Sequence, residues 1–219
     1  MEENPSEFKG GRRPVERVSW WDALEYCNKL SEKYNLEPVY DLSKKDEGIL
    51  KINQLGGETE YSNIADFRKT EGFRLPTVLE WEWFTRGGEI AIQDGTFNYE
   101  YSGSGSIDEV AWYEKNSGNQ THDVGTKKPN QLGLYDCSGN VWEWCYDTGT
   151  SGYVSEETPY IYDASNNKRI LKGGSCGWIL GLIGAAFDGS AYDCKISSSR
   201  TNLIDASKDL YGFRIIRTI

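Results

Sequence analysis

Histidine and methionine are almost absent from this sequence, and no two of its cysteines form a CxxC pair. The chain contains one His, one Met and five Cys among 219 residues. Zinc sites usually need several His or paired Cys ligands, so no zinc site is expected. The single histidine, His122, is interpreted as a hydrogen-bonded loop residue. An odd number of cysteines defines no disulfide framework; free buried thiols and one bridge between Cys176 and Cys194 both remain open.

Positive charge and long apolar runs are also scarce. Lys and Arg number 24 against 34 Asp and Glu, which gives a net charge of −10. Nucleic acids and anionic lipids both require a basic face, so neither is an expected partner. No run reaches the roughly 18 apolar residues of a membrane span. The polar start MEENPSEFKG is not a signal peptide, so the protein is either cytoplasmic or begins after a removed leader.

Aromatic residues and glycine are abundant instead. The chain has 8 Trp, 14 Tyr, 7 Phe and 24 Gly. Large rings and many glycines suit irregular backbone better than a helical bundle. No repeat and no long linker divides the chain. We therefore expect one α+β domain over residues 1–219, with two helices, short strands and a high loop content.

Two helix starts are marked by capping boxes. Ser19 with Asp22 begins the first helix, and Thr77 with Glu80 begins the second, which Gly87-Gly88 is expected to end. Short strands are predicted where apolar residues lie between turn signals. These strands are Val39–Asp41, Lys51–Asn53, Val110–Tyr113, Val141–Cys145, Ile170–Lys172 and Phe213–Ile216.

Several large side chains are expected to be buried. Two arginines, Arg74 and Arg214, need carboxylate partners if they are buried, and Glu80, Glu143 and Asp147 are the candidates. Three tryptophans within patterned elements are assigned to the core. They are Trp81, Trp142 and Trp144.

The order of the motifs resembles the formylglycine-generating enzyme family, also called the sulfatase-modifying-factor family, over nearly the whole chain. The resemblance implies a C-type-lectin-like fold of the formylglycine-generating-enzyme type. The motifs that carry it are Pro14–Trp20, Tyr26–Asn28, Phe73–Thr77 with Glu80–Glu82, Gly133–Asp136, Ser138–Trp144, Lys172–Ser175 and Gly212–Arg214.

The family's oxidase chemistry is not expected in this chain. It depends on two cysteines at the third and eighth positions after the Ser of Gly-Gly-Ser, because soft sulfur binds copper(I). Trp178 and Ile183 occupy those positions, and neither side chain can coordinate a metal. The sequence therefore predicts no enzyme and no copper. The alternative is a copper-dependent oxidase acting on a sulfatase cysteine, motivated by Cys176 and Cys194 at other spacings.

The resemblance also implies a structural calcium ion. The matching ligands are the carboxylates of Asp136 and Glu143 and the backbone carbonyls of Gly139 and Val141, which are the hard oxygen ligands that calcium requires. The alternative is that Asp136 caps the turn and Glu143 pairs with an arginine.

Residues 176–211 differ in composition from the rest of the chain. This segment contains the longest apolar run, Gly177–Phe187, and it lacks Glu, Gln and Met. Apart from Trp178 and two lysines, its residue types are those obtained by randomising the adenines of an asparagine codon. It resembles the variable region of a diversity-generating retroelement target, in particular the treponemal variable proteins. The apolar run is either buried core or an exposed interaction surface.

The surface interpretation predicts a non-catalytic protein that presents a diversified surface to a protein ligand of unknown identity. The resemblance implies display at the cell surface, with a lipid anchor outside this sequence as the only membrane contact. The side chains expected to contact the ligand are Trp178, Ile179, Leu180, Leu182, Ile183, Phe187, Asp188, Tyr192, Asp193, Asn202, Asp209 and Tyr211.

Overall fold

Short elements joined by long loops make up the structure. The computed structural model describes residues 3–61, 66–149, 166–177, 189–207 and 210–218. The helices in these ranges are α1 (Trp20–Lys33), α2 (Val78–Thr85), α3 (Gly88–Gln93) and α4 (Ile107–Val110). The strands are β1 (Tyr40–Asp41), β2 (Lys51–Gln54), β3 (Glu58–Tyr61), β4 (Phe73–Arg74), β5 (Trp142–Thr148), β6 (Lys168–Lys172), β7 (Ser199–Leu203), β8 (Tyr211–Phe213) and β9 (Ile216–Arg217).

Both predicted capping boxes are present. The Ser19 hydroxyl accepts a hydrogen bond from Asp22 N at 3.1 Å, and the Asp22 carboxylate accepts one from Ser19 N at 2.8 Å. Thr77 and Glu80 make the same reciprocal pair at 3.2 and 2.9 Å. These contacts satisfy backbone donors that the first turn of a helix leaves unpaired, so α1 and α2 begin where the sequence predicts.

The prediction of two helices was incomplete, because α3 and α4 also lie in the described ranges. Gly87 (φ 92°) follows the end of α2 and is at the same time the residue before α3. These helices have six and four residues, too few for apolar periodicity to show in a sequence. The predicted strand Val110–Tyr113 was wrong, since Val110 ends α4 and Trp112 makes only an isolated bridge to Gly139.

The described strands form three sheets. β1, β2 and β3 make an antiparallel sheet, and β4 pairs with β9. The largest sheet has the order β7-β6-β5-β8, with β8 parallel to β5. The inner strand β5 places Glu143 opposite Lys172 of β6 and Gly212 of β8, which brings three of the sequence motifs together. The predicted strand Phe213–Ile216 is divided between β8 and β9, which belong to different sheets.

The core is rich in tryptophan, as predicted. Trp81, Trp142 and Trp144 are at most 1% exposed. The indole N–H of Trp81 donates to Glu143 at 2.7 Å, and that of Trp144 donates to the Val18 carbonyl at 2.9 Å. Buried indoles need such partners, so the rings fix the loops as well as filling the interior.

The predicted pairing of the two arginines is confirmed. Arg74 contacts Glu80 with a closest distance of 2.7 Å, and Arg214 contacts Glu143 at 2.8 Å. Asp147 instead accepts a hydrogen bond from Val78 N at 2.7 Å, at the start of α2. Removing one partner would leave the other charge without its partner in a largely buried position, so both pairs help to hold the fold.

No helix in the described ranges is both long enough and apolar enough to cross a bilayer.

Candidate functional site

Residues 176–211, the candidate segment, begin after two closely packed glycines and end on strand β8. Gly173 and Gly174 have φ angles of 92° and 73°, in the region that favours glycine. A Cβ on Gly174 would lie 2.7 Å from the Cys194 sulfur. At the other end, β8 pairs with β5 from Tyr211 to Phe213. The segment between is therefore attached at both ends to the largest sheet.

The backbones of Gly177 and Gly189 are in contact. A Cβ on Gly189 would lie 2.7 Å from the Gly177 nitrogen. Gly189 O also accepts a hydrogen bond from Glu114 N at 2.9 Å, and a Cβ on Gly177 would lie 2.9 Å from the Asn119 Cα. Most of the predicted contact residues fall outside the described ranges. They are Trp178, Ile179, Leu180, Leu182, Ile183, Phe187, Asp188 and Asp209.

Tyr192 extends into solvent from an ordered turn. Its side chain is 69% exposed, the highest value among the exposed large apolar residues in the described ranges. The turn is closed by Ser190 and Asp193, whose hydroxyl and carboxylate lie 2.6 Å apart. The Ser198 hydroxyl donates to the Tyr192 carbonyl at 2.6 Å. An exposed ring on a fixed backbone is the kind of group that contributes most to protein–protein contacts.

Asn202 and Tyr211 contact each other, but they do not both lie at the surface. Asn202 is half-buried on the edge strand β7, and its amide donates to the Tyr211 hydroxyl at 2.7 Å. Tyr211 is 0% exposed and packs edge-to-face on Trp144 at 5.4 Å. The prediction of Tyr211 as a ligand-contacting surface residue was wrong, because its ring faces the core from β8.

The two cysteines within residues 176–211 are buried free thiols. Cys176 and Cys194 are both 0% exposed and unbridged. Burial raises the pKa of the Cys176 thiol to about 12 and raises the pKa of Cys194 well above its usual range. A thiolate is the form that binds copper or attacks a substrate, and these thiols stay protonated at neutral pH.

Asp136 and Glu143 line the same cavity, together with Val141. Asp136 Oδ2 accepts from Gly125 N at 2.8 Å, whereas Oδ1 is buried with no hydrogen-bond partner. Burial raises the pKa of Asp136, although the Gly125 N–H and Arg214 partly offset this effect. A buried, unpartnered carboxylate oxygen fits a cation ligand.

The Glu143 carboxylate already accepts hydrogen bonds from two side chains. It accepts from Trp81 at 2.7 Å and from Arg214 Nη2 at 2.8 Å, so the predicted arginine pairing exists. Burial alone would lower the pKa of Arg214, but the Glu143 carboxylate raises it well above its usual range. Within the described ranges no three His, Cys, Asp or Glu side chains form a metal-binding group. A calcium ion here would need the Gly139 and Val141 carbonyls as well as the two carboxylates.

His122 is a packed loop residue, as predicted. Its ring stacks on Trp112 with centroids 3.8 Å apart, and Nε2 lies 2.7 Å from the Ser117 carbonyl. These contacts give the histidine a structural role.

The chain belongs to the sulfatase-modifying-factor family. The family model of the sulfatase-modifying factor enzyme 1-like domain matches residues 1–219. The arrangement of helices, short strands and loops agrees with a solved relative, Treponema denticola variable protein 1. That structure has a TM-score of 0.73 and 34% sequence identity, over 98% of this chain and 77% of the other.

Two curated relatives show how varied the family is. The chain is 41% identical over 196 residues to the chaperone protein LppX of Paenibacillus barcinonensis, covering 82% of this chain and 64% of LppX. It is 29% identical over 212 residues to the inactive C-alpha-formylglycine-generating enzyme 2 of Mus musculus, covering 92% of this chain and 56% of that protein. The chain thus spans less than two thirds of either relative.

The cavity residues Val15, Tyr26 and Phe213 were missed as functional candidates in the sequence. They lie far apart along the chain and meet only in the folded protein. A signal was available in the resemblance itself, because all three fall within its motifs.

Proposed function

We propose that this chain is a non-catalytic ligand-binding protein that presents residues 176–211 as a diversified surface on a rigid scaffold. The observation that carries the proposal is the presence of Trp178 and Ile183 where the family's oxidase chemistry needs two cysteines. The similarity to a treponemal variable protein and to an inactive family member supports it.

The described part of the segment fits this role. Tyr192 is exposed on a turn held by hydrogen bonds. Gly177 and Gly189, on either side of residues 178–188, allow close backbone packing. A scaffold of this kind limits the conformational entropy lost on binding. The partner we propose is a protein, because exposed aromatic and aliphatic side chains mark such interfaces. The similarity to a protein named as a chaperone also agrees with binding without turnover.

Binding is tested by comparing two display libraries of equal size. One library randomises the candidate positions, including 178–180, 182, 183, 187, 192 and 202. The other randomises as many exposed positions in residues 43–60, on the small β1-β2-β3 sheet. Both are selected against hen lysozyme as a probe. We expect well-expressed binders from the first library only; equal yields from both would contradict a specialised surface.

The alternative, a copper-dependent oxidase, is tested directly. The copper-loaded protein is incubated with a sulfatase-type cysteine peptide, and the peptide mass is followed. We expect no change, because the buried Cys176 and Cys194 thiols do not supply thiolates. The double variant Trp178→Cys/Ile183→Cys serves as the comparison. A loss of peptide mass with the wild-type protein would establish the oxidase.

We propose further that calcium is held by Asp136 and Glu143 with the backbone carbonyls of Gly139 and Val141. The ion would supply positive charge to a buried carboxylate and would fix the turn before β5.

Display at the cell surface through a lipid anchor completes the proposal, and the family resemblance is its support. Protease treatment of intact cells should degrade the full-length protein and leave a cytosolic marker intact. Protection of both proteins would contradict surface display.

A further inference from the structure

A cavity of about 580 Å³ lies outside the proposed recognition surface. Its apolar walls come from Val15, Tyr26, Val124, Phe213 and Ile215. None of the described residues that line it falls within 176–211. Ligand pockets in proteins have volumes of roughly 300–1,000 Å³, so the space suits a small molecule.

Arg214 lines this cavity, and one nitrogen of its guanidinium group is not used by the described residues. Its Nε and Nη2 atoms donate to Glu143 at 3.1 and 2.8 Å, and Nη2 also donates to the Tyr135 carbonyl at 2.9 Å. Nη1 has no acceptor among the described residues, and Arg214 lines the cavity. A ligand in the cavity would therefore need an acceptor atom to match Nη1.

The charges around Arg214 favour an uncharged ligand. Glu143 already pairs with the guanidinium, so an anion gains little from Arg214. An ammonium group would find no free acceptor on Asp136, because Oδ2 accepts from Gly125 and Oδ1 is the oxygen assigned above to calcium. The remaining class is a neutral molecule with a carbonyl-type oxygen.

We propose that this cavity binds an uncharged molecule with an aromatic or branched aliphatic body and one carbonyl acceptor. The acceptor oxygen receives a hydrogen bond from Arg214 Nη1, and the apolar body packs between Tyr26 and Phe213. Those two rings are already arranged edge-to-face with centroids 5.3 Å apart. The site goes beyond the proposed function, because its described lining residues all lie outside residues 176–211.

The probe for this proposal is N-acetyl-L-phenylalaninamide, which is neutral and carries an aromatic ring and amide carbonyls. Binding is followed by NMR chemical-shift changes, with chelator and again with calcium. We expect saturable binding in both buffers and binding that is about tenfold weaker in Arg214→Lys, which loses a donor worth roughly 1.5 kcal/mol. The melting temperature of that variant is measured to confirm that it is folded.

Two further variants fill the cavity from its exposed edge. Val124→Phe and Val15→Phe should each abolish binding of the probe, because the larger ring occupies the ligand's place. Leu55→Phe, on an exposed turn outside the cavity, is the matched control and should bind like the wild type. Absence of saturable binding, or equal binding by all three phenylalanine variants, would overturn the proposal. Tighter binding of N-acetyl-L-phenylalanine, the carboxylate analogue, would overturn the assignment to an uncharged ligand.

Discussion

At the scale of single residues, Asp147 is a buried acid whose protonation affects the stability of the fold. It has no solvent exposure, and Oδ1 has no hydrogen-bond partner while Oδ2 accepts from Val78 N. Burial raises its pKa to about 7, with an added contribution from Glu80; the Val78 N–H and Arg169 act in the opposite direction. The folded protein thus binds this proton more tightly than the unfolded chain, whose Asp pKa is about 3.9.

This shift predicts a pH-dependent stability. The contribution of Asp147 is fully present below about pH 4 and is lost as the pH rises through about 7. The free energy of unfolding should fall by on the order of a few kcal/mol over this pH range, since a pKa difference of one corresponds to roughly 1.4 kcal/mol. Urea denaturation of the wild type from pH 4 to 8 should show it, and Asp147→Asn should remove most of that dependence.

The control for this experiment is Asp46→Asn, on an exposed turn. Its pH dependence should match that of the wild type. An equally steep pH dependence in Asp147→Asn would show that other groups are responsible.

Asp136 makes the calcium proposal testable. Its buried Oδ1 has no partner among the described residues, so a cation would stabilise the ionised carboxylate. We expect chelator to lower the melting temperature of the wild type by several degrees and to have little effect on Asp136→Asn. Asp94→Asn, at the end of α3, should respond like the wild type. An unchanged wild-type melting temperature would contradict calcium binding at Asp136.

At the scale of elements, Gly177 and Gly189 hold the two ends of segment 178–188 together. A Cβ on Gly189 would lie 2.7 Å from the Gly177 nitrogen, a distance that forces the backbone to shift. Gly189→Ala should therefore lower the free energy of unfolding by about 1–3 kcal/mol, the usual cost of overpacking.

The matched control is Gly105→Ala, because a Cβ there meets nothing within 4 Å. Urea denaturation should place it near the wild type. Equal stability of Gly189→Ala and Gly105→Ala would show that the two ends of the segment are not tightly packed.

The longer elements could be predicted from the sequence, whereas the shortest ones could not. Ser19 and Thr77 mark the starts of α1 and α2 because capping is a local interaction between neighbouring residues. α3 and α4 carry no such signal, because neither has a side-chain cap. Their contacts are distant in sequence: Gly88 of α3 lies against Leu132, and Val110 of α4 belongs to a buried cluster with Cys194. Tyr211 was misplaced because the face that a strand residue occupies depends on its partner, here β5.

At the scale of the whole molecule, the sequence predicted the family and a carboxylate partner for Arg214, but not the cavity beside the Arg214–Glu143 pair. Motif order is a linear property, so the resemblance could be recognised without coordinates. The cavity depends on residues as far apart as Val15 and Phe213 meeting in space. The same limit applies to the buried cysteines: Gly174 packs against the Cys194 sulfur, and the Cys176 N–H donates to the Asn140 carbonyl, contacts that their spacing does not predict.

The central claim is that residues 176–211 are diversified for binding while the scaffold is kept. Sequencing this gene in many clonal isolates, together with any near-copy of these codons beside a reverse transcriptase, tests the claim most directly. Substitutions are expected at positions that are adenines in the near-copy, and they should be concentrated in codons for exposed residues such as Tyr192. Codons for the buried Cys194, Ile196 and Tyr211 should stay constant. Invariant codons throughout the segment, or changes spread evenly over buried and exposed positions, would contradict it.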